Sequence, residues 1–193
     1  ATTEIYTLSL HDALPISGKV YIYDVSDATS NSLKYTISNP TAYNTSAGDQ
    51  FGASVAIHGD FAIVGAPYED DANGSDSGKA YIFNVGSSGS STAIFTLDNP
   101  NPTGTSADDN FGTSVAINSD YAVVGSPYEG DIGGLQAGKV YIFDLNDGSL
   151  LFTFNNPSEQ TANDLFGSSV SISGNIIAIS APLDDDNSGT DSG

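Results

Sequence analysis

The sequence predicts an all-β protein made of repeated four-stranded antiparallel sheets, and three observations carry that reading. Short apolar runs alternate with clusters of Gly, Asn, Asp and Ser, and no 3.6-residue periodicity is visible. Three sequence blocks return at nearly constant spacing. The strands defined in this way carry apolar or small side chains on both faces.

The block GKVYIYDV at 18–25 returns as GKAYIFNV at 78–85 and GKVYIFDL at 138–145. FGASVAI at 51–57 returns as FGTSVAI at 111–117 and FGSSVSI at 166–172. GAPYEDD at 65–71 returns as GSPYEGD at 125–131 and SAPLDDD at 180–186. The first block repeats after 60 and 60 residues, the other two after 60 and 55.

Each period is read as four strands, about 51–57, 61–66, 79–85 and 92–97 in the first whole copy. His58, Gly59 and Asp60 separate the first two, a hairpin-length turn that reads Asn118-Ser119-Asp120 and Ser173-Gly174-Asn175 in the later copies. Alternation puts Phe51, Val55 and Ile57 on one face, with Ser54 and Ala56 on the other. In the third strand Tyr81, Phe83 and Val85 oppose Ala80 and Ile82.

A unit that is apolar on both faces cannot bury itself alone. Stacking such sheets radially around an axis solves the problem, and the expected architecture is a β-propeller of four-stranded antiparallel blades. The units run over 17–38 (partial, strands three and four), 39–97, 98–154 and 155–193 (partial, strands one and two). About three blades fall short of the ~4–8 that close a ring, so an open arc is expected.

Residues 1–16, ATTEIYTLSLHDALPI, share no block with the rest. They resemble the in-frame translation of a sequencing-library adapter and are read as a non-native segment. The repeat fragment is then 17–193, both ends are expected to be truncations, and the rest of the propeller is expected in the full-length chain. Met is absent even at position 1, so a leader peptide cannot be judged.

The chain carries 24 Asp and Glu against 4 Lys and Arg, a formal net charge of −20. A nucleic-acid partner needs cations to neutralise phosphates, so this balance argues against one, and equally against an anionic membrane surface. No run approaches the ~20 apolar residues of a membrane-spanning helix, so membrane insertion is not expected. The acidity suits calcium, high salt or a cationic partner, as well as plain solvation. Cys is absent, which removes disulfide and thiol chemistry.

Phe51-Gly52 with Gly65-Ala66-Pro67, Phe111-Gly112 with Gly125-Ser126-Pro127, and Phe166-Gly167 with Ser180-Ala181-Pro182 resemble FG-GAP repeats. These build the propeller head of integrin α subunits and of many bacterial exported proteins. The resemblance spans 17–193. It implies a non-catalytic binding or adhesion module, extracellular or at the cell surface, with a protein or glycan ligand left open. It leaves room for two alternatives, an accessory domain of a secreted hydrolase and a structural surface repeat.

Integrin-type repeats can hold calcium between strands one and two, but here that connection is three residues long. The acidic loop instead follows GAP. It reads EDDANGSD from Glu69, EGDIGGLQ from Glu129 and DDDNSGTD from Asp184. Oxygen donors recur at alternate positions in the outer copies, with Gly74 and Gly189 at the sixth place. The candidate Ca2+ ligands are Glu69, Asp71, Asn73 and Asp76, then Asp184, Asp186, Ser188 and Asp191. The other reading is a polar loop tip whose Asp and Asn make local turns. The Asp two residues before each FG (Asp49, Asp109, Asp164) reads as an Asx-type cap or, less simply, as a ligand.

Nothing points to catalysis. His58 is the only histidine of 17–193, and no Ser-His-Asp set or zinc cluster can be assembled. The carboxylates lie in polar repeated loops, and Trp, the usual sugar platform, is absent.

Overall fold

The computed structural model describes residues 3–6, 18–27, 30–40, 48–71, 74–100, 107–130, 136–157 and 164–184. Among them there are thirteen strands and no helix, and hence none long and apolar enough to cross a membrane. The first sheet holds β1 (Thr3–Tyr6), β2 (Lys19–Asp27) and β3 (Ser30–Ser38), in that order. The second is β4 (Ser54–His58), β5 (Phe61–Ala66), β6 (Lys79–Asn84) and β7 (Ala93–Asp98). The third is β8 (Ser114–Ile117), β9 (Tyr121–Ser126), β10 (Lys139–Asp144) and β11 (Leu150–Asn155). The last pairs β12 (Ser169–Ser173) with β13 (Ile176–Ser180).

All pairings are antiparallel and consecutive, so the fold is all-β and built as a partial propeller of four-stranded blades. The two whole blades share one register: Ala66 faces Lys79 across β5 and β6, as Ser126 faces Lys139 across β9 and β10.

Alternation sorts the side chains as the sequence implies. Tyr81, Phe83, Val55 and Ile57 of the second sheet pack with Val20, Ile22 and Ile37 of the first. Ala80, Ile82, Ile63 and Ala56 turn the other way and pack against Phe111, Val124 and Tyr141 of the third. A further cluster joins Val140 and Ile142 to Phe166, Val170 and Ile179. Each core therefore lies between blades, and burial of both faces holds the stack together.

Phe51 and Phe111 stand outside the strands expected to begin with them, because the following Gly52 and Gly112 turn the backbone to φ +91 and +94. The glycine N–H then donates to the GAP-position carbonyl of its own blade, Gly52 to Gly65 at 2.9 Å and Gly112 to Gly125 at 3.0 Å. The Phe111 N–H donates at 3.0 Å to Ser77 O of the preceding blade. A Cβ on Gly65 would sit against Gly112 O, and one on Gly78 against Phe111 O, closer than real Cβ contacts come. The Ser54 and Ser114 hydroxyls donate to Gly112 O and Gly167 O, each at 2.7 Å. FG and GAP are thus the two sides of one backbone junction between consecutive blades.

The segment set apart as foreign supplies β1, which pairs with β2 from Thr3↔Asp24 to Tyr6↔Tyr21. It occupies the place that strand two holds in the whole blades. At the other end β11 is exposed throughout, with Phe152 at 59 % and Phe154 at 40 %. Their counterparts Phe95 and Leu97, facing Ile82 and Ala80, pack into the next interblade core.

Candidate functional site

Strand two ends, strand three begins, and one blade connects to the next, all at the same end of the sheets. The loops after GAP and the interblade connections meet there. The Asp108 N–H donates to Ser75 O at 2.9 Å and the Asn110 N–H to Asp76 O at 3.2 Å. Tyr68 and Tyr128, one after each GAP-type turn, are exposed at this end.

Beneath the loops runs a buried polar cluster repeated from blade to blade. The Asn39 side-chain amide donates to Asp49 at 2.7 Å and to Glu69 at 3.3 Å. Asn99 donates to Asp109 at 2.9 Å. Asn156 donates to Asp164 at 3.0 Å and to Asp184 at 3.3 Å. The three aspartates before FG are all buried, and each ties the start of its interblade connection to the end. The Tyr81 hydroxyl donates to the Glu69 carboxylate at 2.6 Å, and Tyr141 donates to Glu129 in the same way. Lys139 Nζ lies 3.0 Å from Glu129 Oε1, whereas Lys79 sits 3.9 Å from Glu69 and closer, at 3.1 Å, to Asp98.

Burial dominates the electrostatics. It raises Asp49 to about 6, with help from the Asp70 carboxylate, and Glu69 to about 7, against the Tyr81 hydrogen bond and Lys79. Glu129 is raised for the same reason, and burial with the adjacent Glu129 keeps the Tyr141 hydroxyl protonated. A carboxyl whose folded value exceeds its unfolded one binds extra protons on folding. Its contribution is most favourable below the unfolded values of 3.8 and 4.5 and is lost as pH rises through about 6 to 7. The midpoint of thermal unfolding is therefore expected to fall between pH 5 and pH 8. Glu69→Gln should flatten the slope, and a slope unchanged by that substitution would contradict the assignment.

The sequence-derived calcium ligands are divided by this arrangement. Glu69 turns inward to Tyr81 and Asn39. Asp71 structures its own turn, its N–H donating to Gly74 O at 3.0 Å and its Oδ1 accepting the Gly74 N–H at 2.9 Å. Asp70 Oδ1 accepts the Asp76 N–H at 3.0 Å, and Asp76 takes φ +52. Asp184 joins Asn156 at the position of Glu69. Asn73, Asp186, Ser188 and Asp191 lie outside the described residues. Among the described residues no three His, Cys, Asp or Glu side chains converge on a metal position. The Glu69 carboxylate is already engaged by the tyrosine and the asparagine.

The sequence reading passed over Asn39, Asn99, Asn156, Tyr81, Tyr141 and Lys139 as parts of this cluster. The signal was present: Asn-Pro opens every connection, and Lys-x-Tyr keeps phase with the acidic residue after GAP.

No curated protein matches the chain. A family model described as FG-GAP repeat matches residues 39–83, 102–143 and 156–193, together more than half of the chain. Every matched segment holds one FG and one GAP-type element of these junctions, and the chain belongs to the FG-GAP repeat family.

Proposed function

We propose that this chain is a non-catalytic binding or adhesion module of an exported or cell-surface protein, and that it binds through the loop-bearing end of its blades. The observation that carries the reading is where the chemistry lies. Exposed Tyr68 and Tyr128 stand beside carboxylate-rich loops at that end, while the perturbed carboxylates beneath are tied into buried hydrogen bonds with Asn39 and Tyr81. Rigid aromatic anchors with adaptable polar neighbours suit recognition of a protein or glycan surface. The net charge of −20 favours a cationic one.

The test is binding to an array of purified extracellular proteins and glycans. Signals are expected to be lost on Tyr68→Ala with Tyr128→Ala and kept on His58→Ala, at the opposite end of the sheets. Loss with His58→Ala alone would move the site elsewhere.

Calcium support belongs to the same proposal and rests on Asp71, Asn73 and Asp76 with Asp186, Ser188 and Asp191; Glu69 and Asp184 are better placed to hold the buried cluster. Affinity on the order of 10⁻⁴ to 10⁻³ M would suit an extracellular module. Millimolar calcium is then expected to raise the melting temperature, and Asp71→Ala with Asp186→Ala should remove the shift. No shift in the parent chain would leave these loops as solvated tips.

A further inference from the structure

We propose that the buried acidic cluster of the third sheet binds one small monovalent cation, held between Glu129 Oε2 and the Asp109 carboxylate. The cluster occurs three times, and its middle copy differs from the other two. In the copy before it, Asn39 donates both to Asp49, at 2.7 Å, and to Glu69 Oε2, at 3.3 Å. In the copy after it, Asn156 reaches Asp164 and Asp184 in the same manner, at 3.0 and 3.3 Å. In the middle copy Asn99 donates to Asp109 at 2.9 Å. Glu129 Oε2 is nevertheless buried with no hydrogen-bond partner among the described residues. An oxygen of this kind is costly to bury unless an electropositive group meets it.

The repeat gives the direction of that oxygen. Glu69 Oε2 faces the Asn39–Asp49 pair, so its equivalent in the middle copy faces Asn99 and Asp109. The other oxygen of Glu129 is engaged by Lys139 Nζ at 3.0 Å and by the Tyr141 hydroxyl. One residue explains the contrast with the second sheet. Asp98 stands opposite Lys79 and draws it to 3.1 Å, whereas the uncharged Asn155 stands opposite Lys139 and leaves the ammonium to the glutamate. The middle copy also has Ser126 where the others have Ala66 and Ala181. This buried hydroxyl donates to Asp109 O at 2.9 Å and adds an oxygen beside the Glu129 carboxylate.

Charge selects the ligand. Glu129 is 1 % exposed, Asp109 4 % and Lys139 7 %, so two buried carboxylates share one ammonium. One further positive charge completes the balance. A divalent ion would leave an excess, and no third acidic side chain among the described residues joins the pair to hold it. A water would satisfy the oxygen but not the charge. Surroundings rich in oxygen suit a hard ion such as sodium, and the net charge of −20 concentrates cations around the chain.

The melting temperature of the 193-residue chain in sodium chloride, compared with choline chloride at equal ionic strength, tests the proposal. The line width of the sodium NMR resonance reports binding directly. The chain is expected to melt a few degrees higher in sodium and to broaden the resonance. Glu129→Gln should abolish both effects. Ser126→Ala, which restores the residue of the other copies, should weaken both, and it decides alone should Glu129→Gln fail to fold by far-UV circular dichroism. Glu69→Gln removes the same charge where an asparagine already meets the carboxylate, and should keep both effects. Equal melting in the two salts without broadening in the parent chain overturns the proposal and leaves a water or a proton at Glu129. Effects undiminished in Glu129→Gln and Ser126→Ala would show diffuse counterion binding, and overturn it as well.

Discussion

Phe111→Ala is expected to cost about 3–5 kcal/mol of unfolding free energy, measured by urea denaturation. Phe111 is fully buried and lies in the core shared by the second and third sheets. Its ring meets Tyr141 and Phe143, so truncation opens a cavity beside two large aromatics that can close in only partly. The backbone at Phe111 also carries the hydrogen bond to Ser77, which opposes collapse of the gap. A second consequence distinguishes this from an ordinary core deletion. The core that loses the ring is shared by two blades, so the denaturation curve should broaden or split as the blades uncouple. A cost below about 1 kcal/mol with an unchanged transition would show that Phe111 does not couple the sheets.

Glu129→Ala is expected to cost a comparable amount, about 3–5 kcal/mol, for a different reason. The Glu129 carboxylate is buried and receives both Lys139, at 3.0 Å, and the Tyr141 hydroxyl. Removing it leaves a largely buried ammonium and a buried hydroxyl without their acceptor. The double replacement Glu129→Leu with Lys139→Met should be milder than Glu129→Ala alone, because an apolar pair leaves no uncompensated charge. Equal losses would mean that packing, and not the ion pair, sets the cost. Glu69→Ala should be the gentler version, since Lys79 already leans toward Asp98 at 3.1 Å.

The blades were legible because periodicity is a packing record. Val55 and Ile57 face one neighbouring sheet and Ala56 the other, as their alternation requires, and the same holds for Tyr81 and Phe83 against Ala80 and Ile82. The buried cluster was not legible at Glu69 or Glu129. A glutamate within an acidic run reads as solvated, and only the distant Lys-x-Tyr on the next strand turns it inward. Asp49, Asp109 and Asp164 read as turn caps, but their partners lie at the far end of the connection, eight to ten residues away. Phe51 read as strand because its hydrophobicity fits the alternation, while the left-handed Gly52 holds it outside the ladder.

Residues 3–6 illustrate a different limit. Composition set them apart from every repeat, yet they add a strand to β2. A ladder is made of backbone groups, so an open strand edge accepts almost any short β-prone segment. Pairing at an edge therefore says little about whether a segment belongs to the fold. Interblade burial says much more, because it needs the right side chain at every second position.

The central claim is that consecutive four-stranded sheets cover one another face to face through the FG-GAP junction. Methyl NOE spectroscopy on selectively labelled protein tests it most directly. Cross-peaks are expected from Ile63 and Ile82 of the second sheet to Val115, Ile117 and Val124 of the third, which share one core. Cross-peaks confined to pairs within each sheet, with Ile82 methyls exchanging freely with solvent probes, would contradict it.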